Sequence, residues 1–61
     1  MRVRSFDIPQ NTPYLTSGKW YKVVTLCDAD TGAIIDDDGD KIYLYFGHCP
    51  HLNGGAWEIE E

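Results

Sequence analysis

Residues 19 to 27 read KWYKVVTLC and contain the strongest secondary-structure signal of the chain. The stretch is rich in β-branched and aromatic residues, which are enriched in strands. Both of its alternating faces are largely apolar, as expected of a strand that curls between two sheets of a small barrel. The stretch therefore predicts a central β-strand.

Further strands are expected on both sides of this one, because turn signals recur along the chain at the spacing typical of all-β domains. The clearest is Asp37-Asp38-Gly39-Asp40, since Asp-Gly readily supplies the positive φ of a tight hairpin turn. No window shows the helical apolar periodicity of i, i+3, i+4 and i+7. The predicted strands are Arg2–Ile8, Lys19–Cys27, Ala33–Asp36, Lys41–Phe46 and Ala56–Glu60.

These elements predict one all-β domain spanning residues 1–61, a small five-stranded antiparallel barrel that limits exposed edges. An OB-like fold or another small β-meander is the alternative. A chain of this length buries only about 60% of the surface that its unfolded form exposes, so a compact core is needed. The expected core residues are Phe6, Ile8, Leu15, Tyr21, Val23, Ile35, Ile42, Leu44, Phe46, Trp57 and Ile59.

Residues 15–23, LTSGKWYKV, resemble the Leu/Phe-x-x-Gly-x-x-hydrophobic-x-hydrophobic signature at the start of the second strand of SH3 domains. The following order is also similar: a loop, a short apolar strand, an acidic Gly turn, another strand, an irregular segment and a last strand. The resemblance implies an SH3-like barrel. It does not extend to proline-motif recognition, because no Ala-Leu-Tyr-Asp-Tyr run precedes Tyr14 and Ala33-Ile34-Ile35 replaces the usual Trp pair.

Compact acidic SH3-like domains of this kind also resemble small uncharacterised bacteriophage and prophage proteins. That resemblance implies an accessory protein that acts on a host or phage protein. The expected compartment is the cytoplasm (the host cytoplasm for a phage-encoded chain). The charged start Met1–Arg4 has no apolar stretch after it, and no apolar run approaches the roughly 20 residues of a membrane span.

The net charge of −5 and the pI near 4.7 oppose binding to a nucleic-acid backbone, where lysine and arginine must replace counterions. The acidity is concentrated in two predicted turns. Neither turn fits a calcium-binding EF-hand loop, because no register brings ligands, glycine and the final glutamate to their required positions. The acidic turn residues are Asp28, Asp30, Asp36, Asp37, Asp38 and Asp40. They favour either a solubilising surface or an acidic inhibitor, a nucleic-acid mimic that binds a basic protein.

The segment His48-Cys49-Pro50-His51, together with Cys27, contains the ligand types of a structural zinc site. The spacing lacks a C-x₂-C or H-x₃₋₅-H pair, so no metal and no cofactor are expected. A structural Cys/His metal site and a Cys27–Cys49 disulfide remain alternatives to free thiols. A Cys-His nucleophile is not expected either, since so short a chain has little material for a catalytic pocket. The chain is therefore predicted not to be an enzyme.

Aromatic residues outside the expected core indicate a binding surface. Tyr43 and Tyr45 point outward on one predicted strand. On another predicted strand Trp20 precedes Tyr21 and therefore lies on the opposite face from it. If the fold brings Tyr14 and Trp20 next to Tyr43 and Tyr45, the four rings form a patch of the kind that anchors protein partners. The alternative is that these rings complete the core. The leading hypothesis is a non-catalytic protein-interaction module.

Overall fold

Five short strands form one antiparallel sheet in the computed structural model, which describes residues 1–61. This confirms the prediction of an all-β chain with five antiparallel strands. The only helical element is a short 3₁₀ turn, and no helix is long and apolar enough to cross a membrane. The elements are β1 (Arg2–Arg4), β2 (Tyr21–Leu26), β3 (Thr31–Ile35), β4 (Lys41–Tyr45), the 3₁₀ turn (Pro50–Leu52) and β5 (Glu58–Glu60).

The strand order across the sheet is β4-β3-β2-β1-β5, so the first and last strands of the chain are neighbours. The sheet is not closed into a barrel, because β4 and β5 each pair on one side only. One backbone hydrogen bond connects the two ends of the sheet: the amide of Trp57, just before β5, donates to the carbonyl of Phe46, just after β4, at 2.8 Å.

A β-bulge lies in β2, the strand that pairs with both β1 and β3. Its first residues pair with β1, where Tyr21 lies opposite Val3. Beyond them Val23 pairs with Ile34, and Val24 is then the extra residue that shifts the register. A bulge bends a strand and increases its twist. The bend does not bury both faces of β2, because Val24 and Leu26 remain exposed.

The hairpin between β3 and β4 folds about the predicted Asp-Gly turn. The Oδ1 of Asp36 accepts hydrogen bonds from the amides of Asp38 and Asp40, each at 2.9 Å. Gly39 has a φ of +86°, a conformation that costs glycine little. The carboxylate of Asp36 thus satisfies the backbone of the turn, and the side chain is buried.

Nine buried apolar residues form the core, and several of the expected positions are among them. Leu15, Tyr21, Leu44, Phe46 and Trp57 are buried as expected, and Ile8, Val23 and Ile42 pack against them while partly exposed. The sequence did not predict the other four core members. They are Val3, Ile34, Cys49 and Leu52.

Three expected core residues are exposed, so those predictions were wrong. Phe6 is 63% exposed because β1 ends at Arg4, before the residue reaches the sheet. Ile35 is 42% exposed because Ile34, its neighbour, faces inward opposite Ile42. Ile59 is 46% exposed because it lies on the edge strand β5, where nothing packs beyond it.

Candidate functional site

The outer side of the β3–β4 hairpin carries exposed aromatic and aliphatic side chains. Tyr43 and Tyr45 flank the buried Leu44 and are each 56% exposed. Ile35 lies opposite Lys41 on the same side, and the Nζ of Lys41 is 5.5 Å from the ring centroid of Tyr43. We call these four residues the β4 face. Three of the four residues lie on β4, an edge strand whose backbone groups on one side have no strand partner, and Ile35 lies on the neighbouring β3.

A groove of about 500 Å³ lies at the end of the β4 face, where the chain leaves β4. Its lining combines a phenol ring, a carboxylate, an imidazole and a proline ring. This set includes members of three features that the sequence analysis considered separately: the aromatic strip, the acidic turns and the Cys/His segment. We call it the Tyr45 groove; it is lined by Asp30, Tyr45, Gly47, His48 and Pro50.

The acidic wall of the groove is fixed by hydrogen bonds within the turn after β2. The Oδ1 of Asp28 accepts a hydrogen bond from the amide of Asp30 at 2.8 Å. The carbonyl of Asp30 accepts one from the amide of Phe46 at 2.7 Å. The turn is therefore attached to the end of β4, and the carboxylate of Asp30, which has no hydrogen bond or ion pair, remains available.

The opposite wall is a closed loop anchored in the core. Cys49 and Leu52 are buried. The amide of Cys49 donates to the carbonyl of Gly55 at 2.9 Å, and that of Gly54 to the carbonyl of Cys49 at 2.8 Å. Gly54 has a φ of +89°, and a Cβ there would lie 3.0 Å from the Cε1 of His48. The His48 ring thus packs closely on the loop.

Sequence reasoning did not predict the Tyr45 groove, because no motif spacing connects Asp30 with residues 45–50. The hairpin register contains the missing information. Thr31 pairs with Tyr45 across the hairpin, so continuing the same register by one residue places Asp30 opposite Phe46. Extending the predicted Asp-Gly hairpin along both strands would have predicted that Asp30 lies near Tyr45 and Phe46.

Trp20 lies elsewhere, in a cluster of charged residues on β1 and β5. The guanidinium carbons of Arg2 and Arg4 are each 4.4 Å from the centroid of its ring. Arg2 forms an ion pair with Glu60 at 2.6 Å, and Arg4 forms one with Glu58 at 2.9 Å. The half-buried indole is thus engaged by the chain's own cations.

Tyr14 also has a partner of its own. Its hydroxyl is 2.8 Å from the Nδ1 of His51, and the two rings meet edge to face, with centroids 5.8 Å apart. Neither Tyr14 nor Trp20 forms a ring pair with Tyr43 or Tyr45. Of the four predicted partner-binding residues, Tyr43 and Tyr45 lie on one strand with exposed rings, whereas Tyr14 and Trp20 contact other residues of the chain.

The predicted acidic turn residues divide into two groups. Asp28, Asp36 and Asp37 accept hydrogen bonds that hold turns together. The carboxylates of Asp30, Asp38 and Asp40 have no hydrogen bond or ion pair within the chain. Half of the predicted acidic surface is thus internal turn structure.

Asp37 is the most engaged of these residues. Its carboxylate accepts hydrogen bonds from the Nζ of Lys19 at 2.6 Å, the hydroxyl of Thr16 and the hydroxyl of Tyr21 at 3.0 Å. The hydrogen bond from Lys19, followed by that from Thr16, holds the pKa of Asp37 below its usual value. The hydrogen bond to Asp37 in turn raises the pKa of Lys19 above its usual value.

The Cys/His residues have separate surroundings. Both thiols are free, with Cys27 exposed and Cys49 buried. His48 lines the Tyr45 groove, whereas His51 contacts Tyr14. No group of three or more His, Cys, Asp or Glu side chains is arranged to hold a metal ion. The geometry therefore gives the Cys/His metal site no support.

The β4 face and the Tyr45 groove together provide aromatic surface, an unpaired carboxylate and an open strand edge. These features are suited to non-covalent recognition of another macromolecule. Comparison of the chain with protein-family models, curated proteins and solved structures finds no match. The function of the chain is therefore inferred from its sequence and from this geometry.

Proposed function

We propose that this chain is a non-catalytic protein-interaction module that binds a protein partner through the β4 face. The observation that carries the proposal is the exposure of Tyr43 and Tyr45 on one side of an edge strand, beside the exposed Ile35. Tyrosine is enriched among the residues that dominate interface energies, because it buries a large area with few rotatable bonds. Contiguous exposed apolar surface on a small domain is typical of a binding site.

The edge position of β4 supports the same proposal. An edge strand presents unpaired backbone groups, which a partner's extended segment pairs with by adding a strand. Side chains of that added segment would alternate, and every second one would lie on the outer side of the sheet with Tyr43 and Tyr45. The partner thereby gains affinity from the backbone and specificity from the tyrosines.

We further propose that the domain is of the SH3-like kind. The element order supports this proposal: an Asp-Gly hairpin joins two strands, and an irregular segment with a 3₁₀ turn precedes the last strand. We also propose that the chain is a phage accessory protein, as the sequence resemblance implies, so bacterial host proteins and phage proteins are the first partners to screen.

The proposal is tested by affinity capture with the wild-type chain and a Y43S/Y45S double variant. A bacterial lysate is the first source of candidates, and a captured protein is then purified and titrated against both chains. We expect the double variant to lose binding by about 100-fold, the factor for two hot-spot tyrosines that contribute about 1.4 kcal/mol each. V24S/L26S is the matched control, since Val24 and Leu26 are also exposed apolar residues, but on β2. Equal binding by wild type and Y43S/Y45S would refute the role of the β4 face.

A second candidate, an acidic inhibitor that binds a basic protein, is favoured by the three unpaired carboxylates of Asp30, Asp38 and Asp40. The two candidates respond differently to salt. Binding between exposed charges weakens steeply as ionic strength rises, whereas an aromatic interface persists. The acidic-inhibitor hypothesis therefore requires that D38N/D40N weaken binding and that Y43S/Y45S do not.

A further inference from the structure

We propose that the Tyr45 groove binds an arginine side chain of the protein partner, with the guanidinium against the Tyr45 ring and the Asp30 carboxylate. The inference rests on the proposed function, because Tyr45 belongs to both the β4 face and the groove. It adds the chemistry of the contact, a single cationic side chain inserted at the end of β4.

The lining of the groove is suited to a guanidinium. The face of a tyrosine ring attracts a cation, and the planar guanidinium also stacks on flat surfaces such as Tyr45 and Pro50. Its parallel N–H donors pair with both oxygens of a carboxylate such as Asp30, whereas an ammonium acts as a point charge. The groove volume of about 500 Å³ is ample for one such side chain.

Charge complementarity indicates that the cation comes from outside the chain. Three of the five basic residues, Arg2, Arg4 and Lys19, form ion pairs with acidic residues of the chain itself. Lys41 lies near the Tyr43 ring, and Lys22 lines a separate groove with Met1 and Trp20. None of the five lines the Tyr45 groove, where Asp30 remains unpaired in a protein of net charge −5.

The groove is also held in shape before any partner binds. The hydrogen bond from the amide of Phe46 fixes the Asp30 turn. An antiparallel β-bridge between the backbones of Cys49 and Gly55 closes the loop that carries His48 and Pro50. A site whose walls are already ordered loses little conformational entropy on binding. The arginine itself is then the main part that must become ordered.

The test is a titration of the ¹⁵N-labelled whole chain, followed by NMR, with the capped tripeptide acetyl-Gly-Arg-Gly-amide. We expect saturable shifts of the amides of Asp30 and residues 45–50. The citrulline peptide, which has the same shape without the charge, should produce no saturable shift. D30N should weaken arginine binding by about fivefold, the order of one exposed charge pair. D38N removes another unpaired carboxylate, outside the groove, and should leave binding nearly unchanged.

Tyr45→Phe and Tyr45→Ser form a second matched pair, because only the former keeps the aromatic ring. We expect Y45F to bind the arginine peptide and Y45S to lose most binding. Circular dichroism melts verify that D30N and Y45S remain folded, and neither side chain has a hydrogen bond in the structure whose loss would unfold it. Equal shifts with arginine and citrulline, or unchanged affinity in D30N, would overturn the proposal. The same titration with acetyl-Gly-Lys-Gly-amide should show weaker binding, and tighter binding of this lysine peptide would overturn the assignment to arginine.

The Y43S single variant separates this inference from the proposed function, because Tyr43 does not line the groove. We expect Y43S to bind the partner less tightly and the arginine peptide as well as wild type does. If the partner requires Tyr43 and Tyr45 but the arginine peptide does not bind, the inference fails and the proposed function stands. If the arginine peptide binds in the groove but no partner depends on the two tyrosines, the proposed function fails.

Discussion

Asp37 connects two distant turns through a single carboxylate. Lys19 and Thr16 belong to the turn before β2, whereas Asp37 lies in the hairpin between β3 and β4. The amide of Asp37 also donates to the carbonyl of Tyr14 at 2.9 Å. These contacts span about 20 positions of the chain, so they stabilise tertiary structure as well as each local turn.

The network makes stability depend on pH at the acid end. Hydrogen-bond donors in the folded state hold the pKa of Asp37 below its usual value, whereas the carboxyl of the unfolded chain titrates at about pH 4. Its contribution is therefore complete above that pH and is lost as pH falls through the lower folded pKa. We expect D37N to destabilise the fold by about 1 kcal/mol at pH 7 and by much less at pH 2. Urea denaturation at both pH values measures the difference.

D38N is the matched control for this prediction, because the Asp38 carboxylate has no partner in the chain. Its stability relative to wild type should vary little with pH. A D37N destabilisation that is the same at pH 7 and pH 2 would contradict the electrostatic origin of the effect. The loss would then come from the shape and hydrogen bonding of the asparagine side chain.

At the scale of elements, the ring of Phe46 packs closely against the backbone of β3 at Gly32. A Cβ at Gly32 would lie 2.7 Å from the Cζ of Phe46 and 3.0 Å from the carbonyl oxygen of Thr25. Gly32 is buried, and Phe46 belongs to the core, so neither has room to move. The Phe46 ring can cover this part of the sheet only because the position has no side chain.

We expect Gly32→Ala to destabilise the protein by about 1–3 kcal/mol, the usual cost of adding atoms to a well-packed core. Gly47→Ala is the matched control, since a Cβ there meets nothing within 4 Å and its φ is not positive. The control should change stability by less than about 0.5 kcal/mol. Thermal melts of both variants check the pair, and a G32A melt equal to that of wild type would show that the ring yields readily.

At the scale of the whole molecule, Trp57 connects the two edges of the sheet. It is buried, its ring meets Tyr21 edge to face at 6.3 Å, and its amide donates to the carbonyl of Phe46. The Nε1 of its indole is buried without a hydrogen-bond partner, which costs free energy in the folded state. Trp57 therefore contributes by volume and position and not through its polar group.

From this we expect Trp57→Phe to fold and Trp57→Ala to be largely unfolded at 25 °C. Truncation of a core tryptophan to alanine costs about 3–5 kcal/mol, which is comparable with the whole free energy of unfolding of so small a domain. In W57F the loss of volume is offset by removal of the unpartnered N–H, so the net cost should be near 1 kcal/mol. Trp20 is then the only tryptophan in either variant, so its fluorescence follows unfolding in urea. A W57F variant as unstable as W57A would show that the indole nitrogen has a favourable role.

Much of the architecture was predictable from local signals. Asp-Gly in residues 37–40 predicted the hairpin, and the β-branched run of residues 19–27 predicted the central strand, since both depend on conformational preferences of neighbouring residues. Local signals did not define the ends of β1 and β5. Ser5, which is buried and accepts a hydrogen bond from the amide of Asp7, begins the departure from β1 that leaves Phe6 exposed.

The β4 face was also predictable in part, because it too depends on a local property of the chain. Alternation along β4 placed Tyr43 and Tyr45 on one side of the strand, and this follows from the period of two in any strand. The positions of Tyr14 and Trp20 depended on contacts across the molecule, with His51 and with Arg2 and Arg4. Such contacts leave no trace in the spacing of residues.

The sequence by itself determined an acidic all-β chain, a hairpin at the Asp-Gly turn and a tyrosine-bearing strand. Only the tertiary structure decided that Ile34 and not Ile35 faces the core, because a shift of one residue in strand register moves every side chain to the other face. Only the tertiary structure brought His48 and Pro50 next to Asp30 and Tyr45 in one groove. Local preferences act between neighbours in the chain, whereas a binding surface is made by residues that pairing and packing bring together.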